Sequence, residues 1–337
     1  MQNDSYWQDR AEQLVFDAEK IEANYEVELK KQYSLVTQKL INEINSFFAV
    51  YDLTDPYDMY KLLDRDELKE IRNFAIEEYK LAQRKDFKVF CKKIGNTSRL
   101  ARMEALLFHL SAELEILYQD KVDQMTADMS EVYEQTYYKS IFNVQQGVGF
   151  GLAFDKINQK LVDKAVKQQW LGENYSDRIW NDKDKLIKAL QQEIPQGIIM
   201  GENPKKVASR IQKRMETSRH NAEALARTEY LHIENEASFD GMKASSIVKS
   251  YDFLATLDLK TSSICRQMDK KTFQLTEKKT GINFPPLHTR CRSTTIPRFD
   301  DLGGTRIARG IDGKNYYVPS DMKYEDWYKK YVGDDKK

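Results

Sequence analysis

The apolar positions in the first part of the chain follow a helical repeat. Between residues 14 and 47 they recur at steps of three or four, at Leu14, Ala18, Ile21, Tyr25, Leu29, Tyr33, Val36, Leu40, Ile44 and Phe47. This spacing places them on one side of an α-helix. Turn-forming residues follow at 52–56. The pattern therefore predicts one long helix that ends before residue 52.

Two more helical stretches follow before residue 150. The spacing predicts a second helix from about Asp64 to Phe90. A third apolar stripe begins at Leu100 and reaches the glycine-rich turn 147–151. Because Pro and Gly, which break helices, are rare in this part of the chain, we expect residues 1–150 to form a bundle or hairpin of long helices.

The pattern changes after this point. Shorter helices are predicted from Ala153 to about Asp240, and Asp240-Gly241 is expected to end the last of them. Asn203-Pro204 is a helix start signal, since it offers a capping side chain and then a proline at the first helical position. The β-branched and aromatic run at 247–254 predicts a strand.

The end of the chain is predicted to form a hairpin and a short tail. Residues 306–318 flank Asp312-Gly313, a strong two-residue turn signal. We predict an α+β protein, with an elongated, mostly helical N-terminal region and a small compact C-terminal domain that holds a short antiparallel β-sheet. The predicted domains are 1–150 (long helices), 151–300 (helices, then a small β region) and 301–337 (hairpin and C-terminal tail).

Composition excludes several classes of protein. The 337 residues contain 31% charged side chains, 53 basic and 53 acidic, and three cysteines. Three cysteines cannot form a disulfide scaffold. No window approaches the roughly 18 apolar residues of a membrane-spanning helix, and the N-terminal residues lack the pattern of a signal peptide. We therefore expect no membrane association.

The charges are unevenly distributed although their sum is zero. Residues 1–80 hold 18 acids and 10 bases, a balance of −8, whereas residues 156–219 and 256–298 each have a balance of +6, from 14 bases against 8 acids and 9 against 3. The acidic region is interpreted as a solvated helix face or as a surface for a basic protein partner. The basic regions would suit a polyanion such as double-stranded DNA, although ordinary surface variation also gives such imbalances.

The densest group of chemically reactive residues is Cys265, His288 and Cys291. Thiolates and imidazole suit zinc, and two residues between His288 and Cys291 is a ligand-like spacing. The fourth ligand is open: Asp258 or Asp269 could supply an oxygen, and Ser262 stands where a zinc knuckle would have a cysteine. Three interpretations of this group remain: a metal site, a hydrogen-bonded loop core and a catalytic thiol. The stiff Pro285-Pro286 pair holds His288 in a defined place under the first two.

Other motifs carry less chemistry. No phosphate-binding glycine loop is present, and Gly147–Gly151 lacks the necessary spacing. Arg227-Thr228-Glu229 lies in a helix of small residues, where Arg227 could bind a carboxylate of the following β region. Half of a di-metal site could be formed by Glu229 together with His232 and the carboxylates of residues 232–236. The other half of such a site is missing. We therefore interpret this group as a surface or interhelical ion pair.

The stretch from Trp170 to Pro297 resembles the phage Mu F-like head morphogenesis proteins, the minor head proteins of tailed bacteriophages. The matching residues stand in a specific order and spacing: residues 172–179 and 201–204, then Ala226-Arg227-Thr228-Glu229, Asp258, Thr261, Cys265, Gly281, Pro285-Pro286, His288 and Cys291-Arg292. The tail at residues 324–327 is also similar to the end of such proteins.

The resemblance implies a low-copy structural protein of the virion that lies inside the head and is assembled in the host cytoplasm. Such proteins associate with the portal protein, join the procapsid of major capsid and scaffold proteins, and contact packaged DNA in some cases. Many relatives have Cys-x-x-Cys where this chain has Ser262 and Cys265, so a four-ligand zinc site is not implied here. Some relatives carry an added toxin or ADP-ribosyltransferase domain, for which the roughly 40 residues after Pro297 leave no room.

The resemblance thus predicts a protein without enzymatic activity, catalytic residues or a required cofactor, zinc being the one candidate. The alternative is an enzyme, a metal-dependent nuclease or toxin-like domain that uses Arg227, Glu229, Asp258 and His288. Convergence of these side chains in an open cleft would favour the enzyme. Burial and bonding within the core would favour a structural role.

Overall fold

A computed structural model describes residues 4–51, 55–149, 151, 153–154, 156–299, 305–309, 315–319 and 322–331. The chain divides into two compact units, each assembled from separate stretches. Unit 1 comprises 1–25, 125–175 and 224–337, and unit 2 comprises 26–124 and 176–223. The domain boundaries at residues 150 and 300 remain a prediction, since the two units group residues by contact rather than by order along the chain.

The described residues form nine α-helices and five strands. The helices are α1 (Asp4–Val50), α2 (Arg65–Leu81), α3 (Lys85–Gly95), α4 (Arg102–Val148), α5 (Gln159–Val166), α6 (Tyr175–Ile199), α7 (Pro204–Ala244), α8 (Ser263–Met268) and α9 (Tyr324–Tyr331). The strands are β1 (Ser250–Leu254), β2 (Thr272–Gln274), β3 (Thr294–Arg298), β4 (Thr305–Arg309) and β5 (Asn315–Pro319). Long helices followed by a small antiparallel sheet confirm the predicted α+β class. None of the described helices has an apolar stretch long enough to cross a bilayer.

The long helices α1 and α4 confirm two of the three predicted N-terminal helices. The single helix predicted from Asp64 to Phe90 is wrong, because the chain forms α2 and α3 with an extended break at residues 82–84. The break lets both helices contribute to one apolar cluster around Phe108 of α4, to which α2 adds Ala75 and α3 adds Phe87. Packing on a common core thus overrides the continuous helical pattern.

Helix α7 also departs from the prediction of shorter helices. It begins at Pro204 as predicted, with the Asn203 side chain accepting the Lys206 N–H at 2.9 Å, but it continues past Gly241 to Ala244. A Cβ atom at Gly241 would lie 2.7 Å from Cβ of Ser140 and 2.8 Å from the carbonyl oxygen of Tyr137. The glycine therefore serves the close approach of α7 to α4 and does not end the helix.

Unit 1 contains both sheets. Its three-stranded sheet has the order β2-β1-β3 and is antiparallel, with Ser250 opposite Arg298 and Leu254 opposite Thr294. This confirms the strand expected at 247–254 from residue 250 onward. The predicted hairpin is confirmed as β4 and β5, paired in antiparallel register; its turn at Asp312-Gly313 lies outside the described residues.

Unit 2 is entirely helical where it is described, and a buried polar network joins its helices. The carboxylate of Asp182 on α6 accepts the hydroxyl of Tyr118 on α4 and that of Ser218 on α7, each at 2.6 Å. Tyr33 on α1 bonds to Ser218 at 2.9 Å, and the ammonium group of Lys121 donates to the Tyr33 oxygen at 3.0 Å. Each polar group has a partner, which is what burial in a helical core requires.

Candidate functional site

The structure brings Cys265, His288 and Cys291 together in unit 1. The two sulfur atoms lie 3.6 Å apart, and Sγ of Cys265 lies 3.3 Å from Nε2 of His288. All three candidate ligand atoms lie within 4.8 Å of one another. Cys265 comes from α8 and the other two from the loop before β3, so the cluster joins two short segments. Both cysteines are buried, whereas His288 is partly exposed.

The hydrogen bonds of His288 fix its tautomer. Its Nδ1 lies 2.8 Å from the carbonyl oxygen of Thr289, which can only accept a hydrogen bond, so Nδ1 carries the proton. Nε2 is then an acceptor, and the Ser262 hydroxyl donates to it at 2.8 Å. Ser262 also caps α8, where its oxygen accepts the N–H of Cys265 at 3.2 Å. The single lone pair of Nε2 is thus engaged by the Ser262 hydroxyl, next to Sγ of Cys265 at 3.3 Å.

The two thiols share one hydrogen bond. The Cys265 thiol donates to the Cys291 sulfur, which lowers the pKa of Cys291, an effect that backbone hydrogen bonds from Leu287 and Ser293 reinforce. The same bond, together with burial, raises the pKa of Cys265. The shared hydrogen bond thus favours the thiolate form of Cys291 over that of Cys265.

The predicted fourth ligands Asp258 and Asp269 do not join the cluster. Arg292 donates to Oδ1 of Asp258 at 2.7 Å with one nitrogen and bonds to the other oxygen with a second. Thr261 adds a bond at 3.0 Å. Burial would raise the pKa of Asp258, but the bonds and charge of Arg292 outweigh it and lower the pKa. Asp269 accepts the N–H of Ala255 at 3.0 Å.

The Arg-Thr-Glu motif on α7 is distributed among three separate partners. The Thr228 hydroxyl accepts the N–H of Arg290 at 2.9 Å, and the carboxylate of Glu229 accepts the indole N–H of Trp170 at 3.0 Å. Arg227 does not bind the β region as predicted. Its Nε lies 3.9 Å from the carboxylate of Glu22 on α1, because its side of α7 faces that helix.

The prolines before the cluster lie in the core of unit 1. Pro285 and Pro286 are buried, and the preceding Phe284 packs edge-on against Phe239 of α7 and Tyr251 of β1. His288 accepts the N–H of Cys291 at 3.1 Å through its carbonyl oxygen, which closes a turn. The loop that carries His288 and Cys291 is therefore anchored on both sides.

The four residues of the enzyme alternative do not form one site. Arg227, Glu229, Asp258 and His288 bond to different partners, and no hydrogen bond or ion pair between any two of them is found within the described residues. Glu229 is buried, while the Arg227 side chain is about half exposed, at 48%. These contacts are those of structural side chains rather than of a catalytic group.

The segment after Glu229 is buried, so the ion pair expected there is present but lies neither on the surface nor between two helices. Glu236 binds Lys278 and the hydroxyl of Thr280, both in the loop after β2. Glu234 is fully buried, and among the described residues neither of its carboxylate oxygens has a hydrogen-bond partner. Burial raises the pKa of Glu234 to about 8. Sequence gave no signal for this burial, since acidic residues on a helix are usually solvated.

The sequence also did not indicate a cleft of about 440 Å³ in unit 1. Four acidic residues of α1 line one part of it, and arginines of α7 and of the sheet region line another: Asp9, Glu12, Glu19 and Glu22, with Arg227, Arg292 and Arg309. Cys291 also lines this cleft, so the cysteine cluster lies beside it. The four acidic residues belong to the acidic region 1–80, whose charge excess shows in the sequence but does not reveal a cleft.

The comparisons with known proteins agree with the resemblance. Residues 188–296 match the family model of the Phage Mu protein F like protein. The chain is 24% identical to the minor head protein GP7 of Bacillus phage SPP1 over 281 residues, 78% of this chain and 87% of that protein. It is also 24% identical to the NAD(+)--arginine ADP-ribosyltransferase EFV of Enterococcus faecalis, over 73% of this chain.

The match to the transferase spans only about half of that relative, 53% of its length. No solved structure matches the chain with significance. The family model covers the second half of α6, all of α7 and the region up to the middle of β3, which includes Arg227, Asp258, Cys265 and Cys291. Residues 188–296 are thus similar to the Phage Mu protein F like protein, and the resemblance to phage minor head proteins is confirmed.

Proposed function

We propose that this protein is a minor head protein, a low-copy structural component that lies inside the phage head. It joins the head during assembly in the host cytoplasm, by binding to the portal protein. The match to the SPP1 minor head protein, which extends over 87% of that protein, carries the proposal. The family-model match supports it. The named activity of the transferase relative belongs to that relative.

The bonding of the motif residues supports a structural role. Thr228 ties α7 to the loop before β3, Asp258 and Arg292 tie the region after β1 to the same loop, and Glu229 is used by Trp170. Each of these polar side chains forms a contact that holds unit 1 together. A protein that acts as a scaffold needs such contacts and no catalytic group with a free lone pair.

Binding to the portal protein is the first test. We expect the purified chain to co-elute with the portal protein of its own phage in size-exclusion chromatography, with and without the major capsid and scaffold proteins. Replacing the exposed acids Asp9 and Glu19 of α1 by Lys should weaken this complex. The same change at Asp163 and Glu216, exposed acids outside residues 1–80, is the control. Absence of a complex with all three partners would contradict the proposal.

Contact with DNA is the second test. Three exposed lysines, Lys160, Lys164 and Lys167, follow one another at helical spacing on and just after α5, within a basic region. Fluorescence anisotropy with a labelled duplex should show binding that weakens as salt rises, because phosphate contacts release counterions. Changing the three lysines to Glu should weaken binding more than the same change at Lys85, Lys92 and Lys93 of α3. No binding at low salt would remove DNA as a partner.

The absence of enzymatic activity is part of the proposal. The purified chain should neither cleave DNA in the presence of divalent metal ions nor transfer ADP-ribose from NAD(+) to arginine. Activity that disappears in Glu229→Gln or His288→Gln, variants checked for folding by circular dichroism, would favour the enzyme alternative.

A further inference from the structure

We propose that Cys265, His288 and Cys291 bind one zinc ion, with the hydroxyl of Ser262 directed at the fourth position. The proposal concerns the chain itself and holds whether or not it binds a portal protein. Two sulfurs and one imidazole nitrogen are the donor set that zinc prefers over magnesium or calcium.

Two of the three distances between the candidate ligand atoms are close to the edges of a zinc tetrahedron. With Zn–S bonds of about 2.3 Å and Zn–N bonds of about 2.0–2.1 Å, tetrahedral ligands lie about 3.7 Å apart for two sulfurs and about 3.5 Å apart for sulfur and nitrogen. The observed separations are 3.6 Å between the sulfurs and 3.3 Å between Sγ of Cys265 and Nε2 of His288. Since a disulfide requires about 2.05 Å, the sulfurs form no disulfide, and their hydrogen-bond separation is also the separation of two sulfur ligands of one zinc ion.

The histidine is oriented as a ligand. Its Nδ1–H donates to the Thr289 carbonyl oxygen at 2.8 Å, which is the outer-shell contact that ligating histidines make. This bond leaves Nε2 unprotonated, with its lone pair engaged by the Ser262 hydroxyl, and a bound metal ion would take the place of that hydroxyl proton. The imidazole can therefore bind the metal without changing its ring orientation.

Ser262 lies where a fourth ligand would enter. Its oxygen is 2.8 Å from Nε2 of His288, and it precedes Cys265 by three residues at the start of α8. The cap bond from the Cys265 N–H holds the two side chains on the same side of the helix start. His288 is partly exposed, which leaves an entry path for the ion and a water molecule.

A zinc ion here would join two segments that share few backbone bonds. Cys265 belongs to the six-residue α8, while His288 and Cys291 belong to the loop before β3. Short segments of this kind depend on side-chain links for their stability, as small zinc-binding domains do. The ion would therefore have a structural role.

Zinc content of the purified full-length chain tests the proposal. After dialysis with one equivalent of zinc and removal of free metal, mass spectrometry of the metal should find about one zinc per chain. Cys291→Ser and His288→Gln should lose it, whereas Cys91→Ser, which changes the remaining cysteine in α3, should retain it. Cobalt added in place of zinc should give the thiolate charge-transfer absorption of a cysteine-bound tetrahedral ion in the wild type and in Cys91→Ser only.

The fourth position has its own matched pair of variants. Ser262→Cys should lower the dissociation constant for zinc, measured by competition with a chromophoric chelator, because it supplies a third thiolate. Ser263→Cys, one residue further along and exposed, should leave it unchanged. Equal effects of the two variants would overturn the role of Ser262. Absence of bound zinc and cobalt in a wild-type chain with three titratable thiols would overturn the site, and a Cys265–Cys291 disulfide in the chain purified under reducing conditions would do the same.

Discussion

Thr228 shows how one side chain of the family motif holds unit 1 together. Its hydroxyl donates to the carbonyl of Ala224 at 2.7 Å and accepts the N–H of Arg290 at 2.9 Å. Arg290 has a φ of 60°, a conformation that non-glycine residues adopt only when their surroundings hold them in it. We predict that Thr228→Val lowers the free energy of unfolding by about 1–3 kcal/mol, because the Arg290 N–H loses its acceptor. Urea denaturation followed by circular dichroism measures this.

Thr228→Ser is the matched control, since it keeps the hydroxyl and removes one methyl group. It should retain most of the stability that the valine variant loses. If valine is tolerated as well as serine, the bond to Arg290 does not stabilise the loop and the motif must act in another way.

Glu234 makes the stability depend on pH. Its carboxyl group is fully buried and its pKa is raised to about 8 by that burial. Between pH 4.5, the ordinary value, and pH 8 the unfolded chain ionises this group while the folded chain keeps the proton. The free energy of unfolding should therefore fall as pH rises through this window, by on the order of 5 kcal/mol in total.

Glu234→Gln should abolish this contribution, so its stability advantage over the wild type should grow from pH 5 to pH 8. Urea denaturation at several pH values measures the difference. Glu216→Gln, an exposed position on the same helix, is the control and should follow the wild type. Parallel curves for the wild type and Glu234→Gln would show that the carboxyl group is ionised in the folded chain.

At the residue scale, the sequence predicted the meeting of Cys265, His288 and Cys291 because their residue types and spacing resemble a ligand set. It did not predict the partner of Arg227. A helix repeat tells which residues share a face, but not which neighbouring helix that face meets. The burial of Glu234 could not be predicted either. Burying a carboxyl group without a hydrogen-bond partner is energetically unfavourable, so sequence patterns place such a residue at the surface.

At the element scale, Gly241 sets the distance between α7 and α4. Its missing side chain leaves room for Ser140 and for the backbone of Tyr137. We predict that Gly241→Ala destabilises the chain by about 1–3 kcal/mol, because the added methyl group forces the two helices apart. Thermal unfolding measures the loss.

The control for this substitution is Gly95→Ala at the end of α3, where the added carbon would meet only a side-chain atom of Ile76 at 3.8 Å. It should be close to neutral. A neutral Gly241→Ala would mean that α7 and α4 accommodate the added methyl group without cost, and that the glycine does not set their distance.

The elements that were predicted correctly share a physical cause. Helices α1 and α4 are long and strongly periodic, and the β1 strand contains the aromatic residues Tyr251 and Phe253, so local pattern and packing agree. The α2–α3 break and the length of α7 were missed because packing decides them. Residues 82–84 contain no proline or glycine that would predict a break. Gly241 is a residue type that often ends helices, but here it lies where α7 contacts α4.

At the scale of the whole molecule, the core of unit 1 draws on distant parts of the chain. One buried cluster contains Trp7 and Ala11 of α1, Val144 of α4, Met242 of α7, Leu254 of β1 and Ile296 of β3. The family-model match begins at residue 188, so part of this cluster lies outside the matched region. Sequence could not indicate this sharing, because contacts between residues that are far apart in the chain leave no local pattern.

A fragment of residues 151–337 therefore tests the predicted domain boundary at residue 150. We predict that it exposes Met242, Leu254 and Ile296, binds a hydrophobic dye and unfolds without a sharp transition, since removal of one buried tryptophan alone costs about 3–5 kcal/mol. Adding residues 1–150 as a separate chain should restore cooperative unfolding, and the full chain with Trp7→Ala should be intermediate. Cooperative unfolding of 151–337 alone, without dye binding, would instead support an independent domain that begins near residue 150.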